Sequence, residues 1–457
     1  MGTPLVSVCI PTRNHGRYLG EAVASVLEQD VDGLELLIHD DASADDTRKL
    51  VEQLKDPRVR YRRHPHPLGV AENRNTCLTA ARGRYVAWLD ADDSYLPESL
   101  ARRLAVLEEH PEVGLVHGGF ELLDEDGARL PAWPGPFDEN AIEPGATAFH
   151  ELIASNEVTT STVIARRWCH ERFHSGRSSS DWEMWLRAAL RGDVAYTAAP
   201  VARYRQHAAT ISRAASHSGA RLRCDLRVAR RILRAERARI SDRRGAVRTA
   251  RAALAAKALI HAGGAFTGGR RAETLRSVAL AGRLAPQTTG DLIPELLLAT
   301  ARGDDYASYR CTKALLGRLA DRLEGTRYGR RLRRAAANDP AWDATLARIS
   351  ETLRRVVPPA ALVGSVTKWD PTLLRLSRRR GRQFPDRRAL PDGYPRESAT
   401  AIDHLESLRR EGLSHLVFPS ASFWWLEHYA GFARHLGESY VLLWRDDDCV
   451  IYDLAGS

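Results

Sequence analysis

Apolar segments of strand length alternate with amphipathic segments in the first part of this chain, and the alternation restricts the fold more than any other feature of the sequence. The strand-like segments are residues 5–11, 34–38, 59–62, 85–89 and 113–117. The segments between them repeat their apolar side chains at helical spacing. Strands that alternate with helices favour a mostly parallel sheet with right-handed crossovers. The sequence therefore predicts a Rossmann-like α/β fold for this region.

The character of the sequence changes twice further along, which predicts three parts. Short strands at residues 194–196 and 201–204, on either side of Pro200, complete the first region. Alanine, arginine and leucine then dominate with helical periodicity, and short strand and helix patterns return beyond Pro358-Pro359. We predict an α/β domain, a helical Arg/Ala-rich region and a small accessory α/β domain at residues 1–212, 213–350 and 356–457, respectively.

The cysteines and the apolar segments indicate a cytoplasmic protein. The six cysteines are scattered and form no CxxC pair, which favours free thiols over a disulfide framework or a zinc site. No apolar run has membrane-spanning length. The amino terminus lacks the basic and hydrophobic regions of a secretory signal, so we expect no such signal.

Positive charge is concentrated between Arg213 and Arg251, which contain thirteen arginines but only three acids. This region is either a solvated helix face or a patch that attracts an anionic surface, such as the inner face of the membrane or a phosphate-bearing acceptor. We expect no nucleic acid partner, because no recognition motif accompanies the patch.

Two acidic clusters follow predicted strands. Asp40-Asp41 comes after the strand at 34–38, and residues 90–93 (Asp-Ala-Asp-Asp) come after the strand at 85–89. Carboxylates this close repel one another unless a cation or a hydrogen-bond donor balances them. Ligands of open α/β sheets bind at the carboxyl ends of the strands. The clusters therefore predict a metal-dependent nucleotide site.

Five motifs of this chain resemble those of the family 2 inverting glycosyltransferases, which have the GT-A fold. They occur in the order and approximate spacing of that family and cover a little under half of the chain. The motifs are Val6–Asn14, Asp40–Ser43, Asn73–Asn75, Asp90–Asp93 and Ser180–Trp182.

The resemblance implies a divalent cation, Mn²⁺ or Mg²⁺, which would stabilise a departing diphosphate. Asp92 and Asp93 are the expected metal ligands, and Asp90 is expected to serve the ribose or a water molecule. His207, which follows the last predicted strand, is a further candidate ligand for the metal or diphosphate. An acidic turn that caps the next helix is the alternative interpretation of this cluster.

The resemblance also implies a nucleotide-sugar donor, most simply a UDP sugar. Asp41 is expected to accept a hydrogen bond from the base. Pro11, Thr12 and Asn14 lie at the carboxyl end of the first strand, where backbone groups can contact the base or ribose. Arg74 is a candidate for the base or the diphosphate, and an exposed helix arginine is its alternative interpretation.

Asp181 is the expected catalytic base. Inversion requires a carboxylate that takes the proton from the acceptor hydroxyl, on the face opposite the leaving group. The family usually has Glu-Asp at this motif, whereas this chain has Ser180-Asp181, so the acceptor site is expected to differ. Capping of the following helix is the alternative role of Asp181.

We predict an inverting glycosyltransferase that acts on a glycan, a lipid-linked sugar or a peptide. A non-catalytic nucleotide-sugar-binding or scaffold protein on the same fold is the alternative. Loss of Asp181 or of the acids at 90–93 would support that alternative, but this chain has both. A nucleotidyltransferase has a similar sheet but normally shows a glycine-rich basic loop after the first strand. Residues 11–16 contain a single glycine, Gly16.

Overall fold

The structure, a computed structural model, describes most of the chain and divides it into two compact units. The first unit consists of Met1–Lys257 and Ala320–Arg331, and the second of Ala258–Leu319 and Leu332–Ser457. The described residues are 3–130, 135–174, 179–207, 219–267, 270–302, 305–336, 340–367, 380–385, 395 and 397–455.

A nine-stranded sheet organises the first unit. Its order is β3-β2-β1-β4-β8-β6-β9-β5, and β7 pairs with β9. The pairs β1–β2, β1–β4, β2–β3 and β6–β9 are parallel. The strands are β1 (Val6–Thr12), β2 (Leu34–Asp40), β3 (Val59–Arg63), β4 (Tyr85–Trp88), β5 (Ser94–Tyr95), β6 (Val113–Leu123), β7 (Ala141–Glu143), β8 (Ile164–Arg166) and β9 (Asp193–Arg205).

Helices separate most of these strands, and a helical region follows them. The helices up to residue 356 are α1 (Gly16–Leu27), α2 (Thr47–Gln53), α3 (Val70–Ala80), α4 (Ser99–Glu109), α5 (Gly145–Ala154), α6 (Ser180–Ala189), α7 (Ala220–Ala235), α8 (Arg243–Thr267), α9 (Arg271–Leu284), α10 (Pro286–Thr289), α11 (Leu292–Arg302), α12 (Asp305–Arg322), α13 (Arg327–Ala336) and α14 (Pro340–Val356). Residues 208–218, where the predicted Arg-rich region begins, lie outside the described residues.

The core explains why the strands read as continuous apolar runs. All seven residues of β2 are buried, as are all four of β4, because helices cover both faces of a central parallel strand. Helix α1 buries Leu19, Ala22, Val23 and Val26, which lie on one face at helical spacing. The predicted α/β fold is confirmed.

The two short strands predicted around Pro200 are one strand, β9. Proline lacks a backbone N–H, which normally interrupts a strand ladder. Here Pro200 lies opposite Gly119 on β6, where the register of the pair shifts. An irregularity of this kind tolerates a missing donor, so β9 continues to Arg205 and carries the chain toward the end of β4.

The second unit contains a small sheet of order β11-β10-β12-β14-β13. Its core is aromatic and includes the buried Phe384, Phe418, Trp425 and Phe432. The predicted helical middle and small carboxyl-terminal α/β region are therefore confirmed. The remaining elements are β10 (Leu362–Val366), β11 (Arg380–Phe384), α15 (Ser398–Arg410), β12 (His415–Pro419), α16 (Trp424–His428), α17 (Ala430–Ser439), β13 (Val441–Arg445) and β14 (Cys449–Asp453).

Arginines cover the outer face of α7. Arg227, Arg230 and Arg234 are exposed and lie three and four residues apart, whereas Asp225 and Glu236 in the same segment are buried. The exposed surface of this helix is therefore basic. Among the helices that the described residues form, none combines the length and the apolar character needed to cross a membrane.

Candidate active site

The carboxyl ends of β1 and β2 lie side by side, at the end of the sheet where the site is predicted. Thr12 pairs with Asp40 in register, and the backbone N–H of Asp41 donates to the carbonyl of Thr12 at 2.9 Å. Asp40 is fully buried and accepts hydrogen bonds from the Ser43 backbone and from the Tyr61 hydroxyl, at 2.7 and 2.8 Å. Its side chain therefore shapes the turn after β2.

Asp41 connects the end of β2 to the loop that precedes α3. Its two carboxylate oxygens accept the backbone N–H groups of Leu68 and Gly69, at 2.5 and 3.0 Å. The Arg13 guanidinium lies 3.9 Å from the same carboxylate. Each carboxylate oxygen can accept more than one hydrogen bond, so these contacts orient Asp41 and leave it able to accept a further donor.

Asn14 joins the loops that follow β1 and β2. Its φ is 58°, in the left-handed region that asparagine tolerates better than most residues. Its backbone N–H donates to Ser43 Oγ at 2.9 Å, and its side-chain oxygen accepts the Ala44 N–H at 2.8 Å. The Asn14 side chain thus holds the two loops together. Pro11 lies within β1, partly buried, opposite His39.

Arg74 is buried on α3 and points toward the end of β4. Its guanidinium donates to Asp90 Oδ1 at 2.9 Å and lies 5.8 Å from the centre of the Phe173 ring. Burial alone would lower the pKa of Arg74, but the charges of Asp90 and Asp181 raise it. Arg74 is therefore a buried, charged side chain, which excludes the alternative of an exposed helix arginine.

Asp90 lies within electrostatic range of three other predicted site residues. Burial raises its pKa above the ordinary aspartate value, the charges of Asp92 and Asp181 raise it further, and Arg74 opposes them. The groups that influence one another here are Arg74, Asp90, Asp92 and Asp181, which come from distant parts of the sequence. Asp90, Asp92 and Asp181, which belong to two different motifs, therefore lie near one another and near Arg74.

Three side chains form a candidate metal centre beside this cluster. Asp92 Oδ2 lies 2.9 Å from His207 Nε2, and His15, Asp92 and His207 offer ligand atoms that all lie within 4.8 Å of one another. Burial alone raises the pKa of Asp92, but His207 and His15 bring it below its ordinary value. Metal ligands must be deprotonated, so this environment suits Asp92 to a cation.

His15 was not among the predicted site residues. It lies in the loop between β1 and α1, and its Nδ1 is buried without a hydrogen-bond partner among the described residues. Its only sequence signal was its place just beyond the first strand, because no periodicity marks such a residue. An imidazole nitrogen without a partner fits a divalent cation, as do the carboxylate and the second imidazole.

Both carboxylate oxygens of Asp93 have protein partners. The Ser161 hydroxyl donates to one carboxylate oxygen of Asp93, and the backbone N–H of Arg205 donates to the other at 2.9 Å. Burial and the charges of Asp92 and Asp90 raise the pKa of Asp93 well above its ordinary value. Asp93 therefore holds the turn after β4 against β9, next to its neighbour Asp92.

Asp181 lies in the first turn of α6 and is partly buried. Its Oδ2 accepts long hydrogen bonds from Thr160 and Asn156, at 3.4 and 3.5 Å. Helix N-termini stabilise negative charge, which fits the capping role considered as the alternative. The charge of Asp181 also reaches Arg74 and Asp90, so capping does not remove it from the site.

Three residues of the candidate site carry a buried polar atom without a partner. Among the described residues, the buried side-chain atoms without a hydrogen-bond partner include Thr12 Oγ1, His15 Nδ1 and Arg74 Nε. A buried polar atom without a partner costs about 1–3 kcal/mol, and proteins rarely retain one without a reason. A bound polar ligand that supplies the missing partners is the simplest reason for these three atoms.

Comparisons with known proteins agree with the family that the five sequence motifs resemble. Residues 7–148 match the model of the family described as Glycosyl transferase family 2. TuaG of Bacillus subtilis, named as a teichuronic acid biosynthesis glycosyltransferase, is 30% identical over 197 residues, which cover 42% of this chain and 75% of TuaG. Escherichia coli WfgD, named as a UDP-Glc:alpha-D-GlcNAc-diphosphoundecaprenol beta-1,3-glucosyltransferase, is 31% identical over 183 residues, which cover 40% of this chain and 68% of WfgD.

A solved structure has a similar fold. Residues 1–349 of TarS from S. aureus, crystallised in complex with UDP-GlcNAc, superpose with a TM-score of 0.51 and 18% sequence identity. The match covers 68% of this chain and 90% of that one. This similarity confirms the predicted GT-A fold of the amino-terminal region.

Proposed function

Since this chain belongs to glycosyl transferase family 2, we propose that it moves a sugar from a UDP sugar to an acceptor hydroxyl and inverts the anomeric carbon. The observation that carries the proposal is that the neighbouring residues Thr160 and Ser161 contact Asp181 and the backbone of Asp90, respectively. Arg74 donates to the Asp90 carboxylate, and Asp92 lies next to His207. A basic side chain, a set of carboxylates and imidazoles, and a separate carboxylate are the groups that this reaction requires.

The nucleotide would bind at the ends of β1 and β2. Asp41 is oriented by two backbone N–H groups and would accept a hydrogen bond from the base. Thr12 Oγ1 is a buried hydroxyl without a partner among the described residues, and it would serve the base or ribose with the backbone of Pro11 and Asn14. The name of the relative WfgD gives UDP-Glc as its donor, which supports a uridine nucleotide here.

Asp92 and His207, joined by His15, would hold the divalent cation, Mn²⁺ or Mg²⁺. When bound, the cation neutralises charge on the departing diphosphate. Asp93 was predicted as a second ligand, but its raised pKa favours the protonated form, whereas a metal ligand must be deprotonated. We therefore propose that Asp93, held by Ser161 and Arg205, positions Asp92. Asp90 is held by Arg74 and would face the ribose or a water molecule.

Asp181 would accept the acceptor's proton as its oxygen attacks the anomeric carbon. In the same displacement the bond between that carbon and the diphosphate oxygen breaks, and the electron pair leaves with the UDP. The charges of Asp90 and Asp181 raise the pKa of Arg74 and keep its guanidinium protonated. Arg74 would donate to the diphosphate as negative charge develops on the diphosphate. Attack opposite the leaving group produces inversion.

The acceptor would be a glycan, a lipid-linked sugar or a peptide. The name of WfgD gives a diphosphoundecaprenol-linked sugar as its acceptor and a β-1,3 linkage as its product, which supports a lipid-linked acceptor here. The exposed arginines of α7 would then hold the enzyme at the anionic inner face of the membrane.

A panel of nucleotide sugars tests the proposal. The full chain is incubated with each donor, with sugar acceptors and with Mn²⁺ or a chelator, and the release of nucleotide is measured. NMR of the product gives the anomeric configuration. We expect release of UDP, loss of turnover in chelator and an inverted product. Release of UMP, or retention of configuration, would contradict the proposed reaction.

A further inference from the structure

Helix α7 belongs to the Arg/Ala-rich region, yet it packs directly against α6, the helix that carries Asp181. Polar contacts join the two helices along their length. Arg231 of α7 lies 3.1 Å from the buried carboxylate of Glu183, and Glu236, just after α7, lies 3.4 Å from Arg187. Buried charges that are paired in this way are costly to separate, so the relative position of α6 and α7 is well defined.

The contact nearest to Asp181 involves Ser179 and Asp225. The Ser179 hydroxyl donates to Asp225 Oδ1 at 2.7 Å, and Lys257 lies 3.0 Å from Asp225 Oδ2. Asp225 is only 4% exposed. Lys257 also lies 4.6 Å from the centre of the Trp182 ring, next to Asp181. A buried, neutralised carboxylate of the helical region thus holds the residue before α6.

The geometry of Ser179 is unusual for the residue that immediately precedes a helix. A serine at this position normally uses its side chain to accept a backbone N–H of the first turn, which stabilises the helix. Ser179 makes no such bond, and its φ is 69°, in the left-handed region. A left-handed backbone is unfavourable for a serine, and the helix gains no cap from its side chain. The Ser179 hydroxyl instead donates to Asp225.

We propose that Asp225, through Ser179, is a positioning residue that holds Asp181 in line with the acceptor hydroxyl. Asp181 follows Ser179 by two residues, so the direction in which the first turn of α6 projects its carboxylate depends on this anchor. The bonds from Thr160 and Asn156 to Asp181 are long and constrain it weakly. The helical region therefore completes the catalytic site. This inference rests on the proposed role of Asp181.

The test compares kcat and KM of the full chain with those of three variants. Ser179→Gly removes the hydroxyl but suits the left-handed backbone, so the fold should be retained. Asp225→Ala removes the acceptor of the bond. We expect each to lower kcat by about 10²-fold, the effect of a displacement of about 1 Å, with the donor KM unchanged. The double variant Ser179→Gly/Asp225→Ala should be no slower than either single variant, because all three lack the same contact.

Two further variants separate the contact from general damage. Asp225→Asn keeps an oxygen that accepts the Ser179 hydroxyl, so its kcat should lie well above that of Asp225→Ala. Asp242→Asn is the matched control, since Asp242 is exposed and caps α8 through Gly245; its kcat should equal that of the wild type. Thermal unfolding of each variant checks that it folds.

The outcomes distinguish the inference from the function on which it rests. If kcat losses multiply in the double variant, or if Asp225→Asn is as slow as Asp225→Ala, the Ser179–Asp225 bond is not the link and the inference is wrong. If Asp181→Asn abolishes transfer while Ser179→Gly turns over at the wild-type rate, the inference alone fails. If Asp181→Asn itself retains turnover, the proposed catalytic base fails first.

Discussion

Replacing Asp181 with asparagine is the most direct test of the chemistry. The substitution preserves shape and removes the ability to take a proton. Thr160 and Asn156 both donate to Oδ2 of Asp181, and the amide oxygen of asparagine can accept the same bonds. The bonds are long, so little stability depends on them. We therefore expect Asp181→Asn to fold like the wild type.

The expected loss of kcat follows from the role of the carboxylate. General base catalysis contributes about 10²- to 10⁴-fold, which corresponds to roughly 3–5 kcal/mol of activation free energy. The donor affinity should change little. The charge of Asp181 raises the pKa of Asp90, so its removal makes Asp90 easier to ionise and leaves the nucleotide side of the site charged as before.

The assay measures the initial rate of UDP release with acceptor, corrected for hydrolysis without acceptor, and donor binding by calorimetry in the presence of Mn²⁺. Asp32→Asn is the matched control, because Asp32 is exposed in the loop before β2. An Asp181→Asn enzyme whose kcat stays within about threefold of the wild type would fall outside the range for a lost general base and refute the reasoning.

Three further predictions concern the metal centre, the core and the basic face. His15→Ala should weaken Mn²⁺ binding at least about tenfold, since even outer-shell partners of a metal contribute 10- to 100-fold; calorimetry with the metal alone measures this. Glu35→Gln should cost about 1–3 kcal/mol of unfolding free energy at pH 7. Burial alone raises the pKa of Glu35, but its hydrogen bonds bring it below the ordinary value. The stabilisation from ionised Glu35 is therefore present above the ordinary pKa and is lost as the pH falls through the lowered one. The unfolding free energy measured in urea should differ less between pH 7 and pH 4 for the variant than for the wild type. Replacing Arg227, Arg230 and Arg234 with glutamine should lower binding to anionic vesicles roughly 10²-fold at low salt, at about 1 kcal/mol per arginine, with neutral vesicles as the control; equal binding of both proteins would contradict the predicted membrane contact.

The amino-acid order was sufficient for the fold class, and it predicted where the site would lie. Continuous apolar runs are expected of strands buried on both faces, and their alternation with helices leaves a mostly parallel sheet as the natural arrangement. The carboxyl ends of such strands lie on one side of the sheet, so the sequence predicts that Asp41 and Asp90 lie near one another. Asp181 and His207 followed only from the resemblance to a family, because neither stands out in composition or periodicity.

Long-range contacts, in contrast, determine what each side chain does. Asp92 and Asp93 are adjacent and chemically identical, yet one faces His207 and the other is held by Arg205 and Ser161, which lie 112 and 68 positions from Asp93. The orientation of neighbouring carboxylates depends on which distant donors reach them, and a sequence pattern does not contain that information. The same reason explains why His15 and Asp225 emerged only from the folded chain.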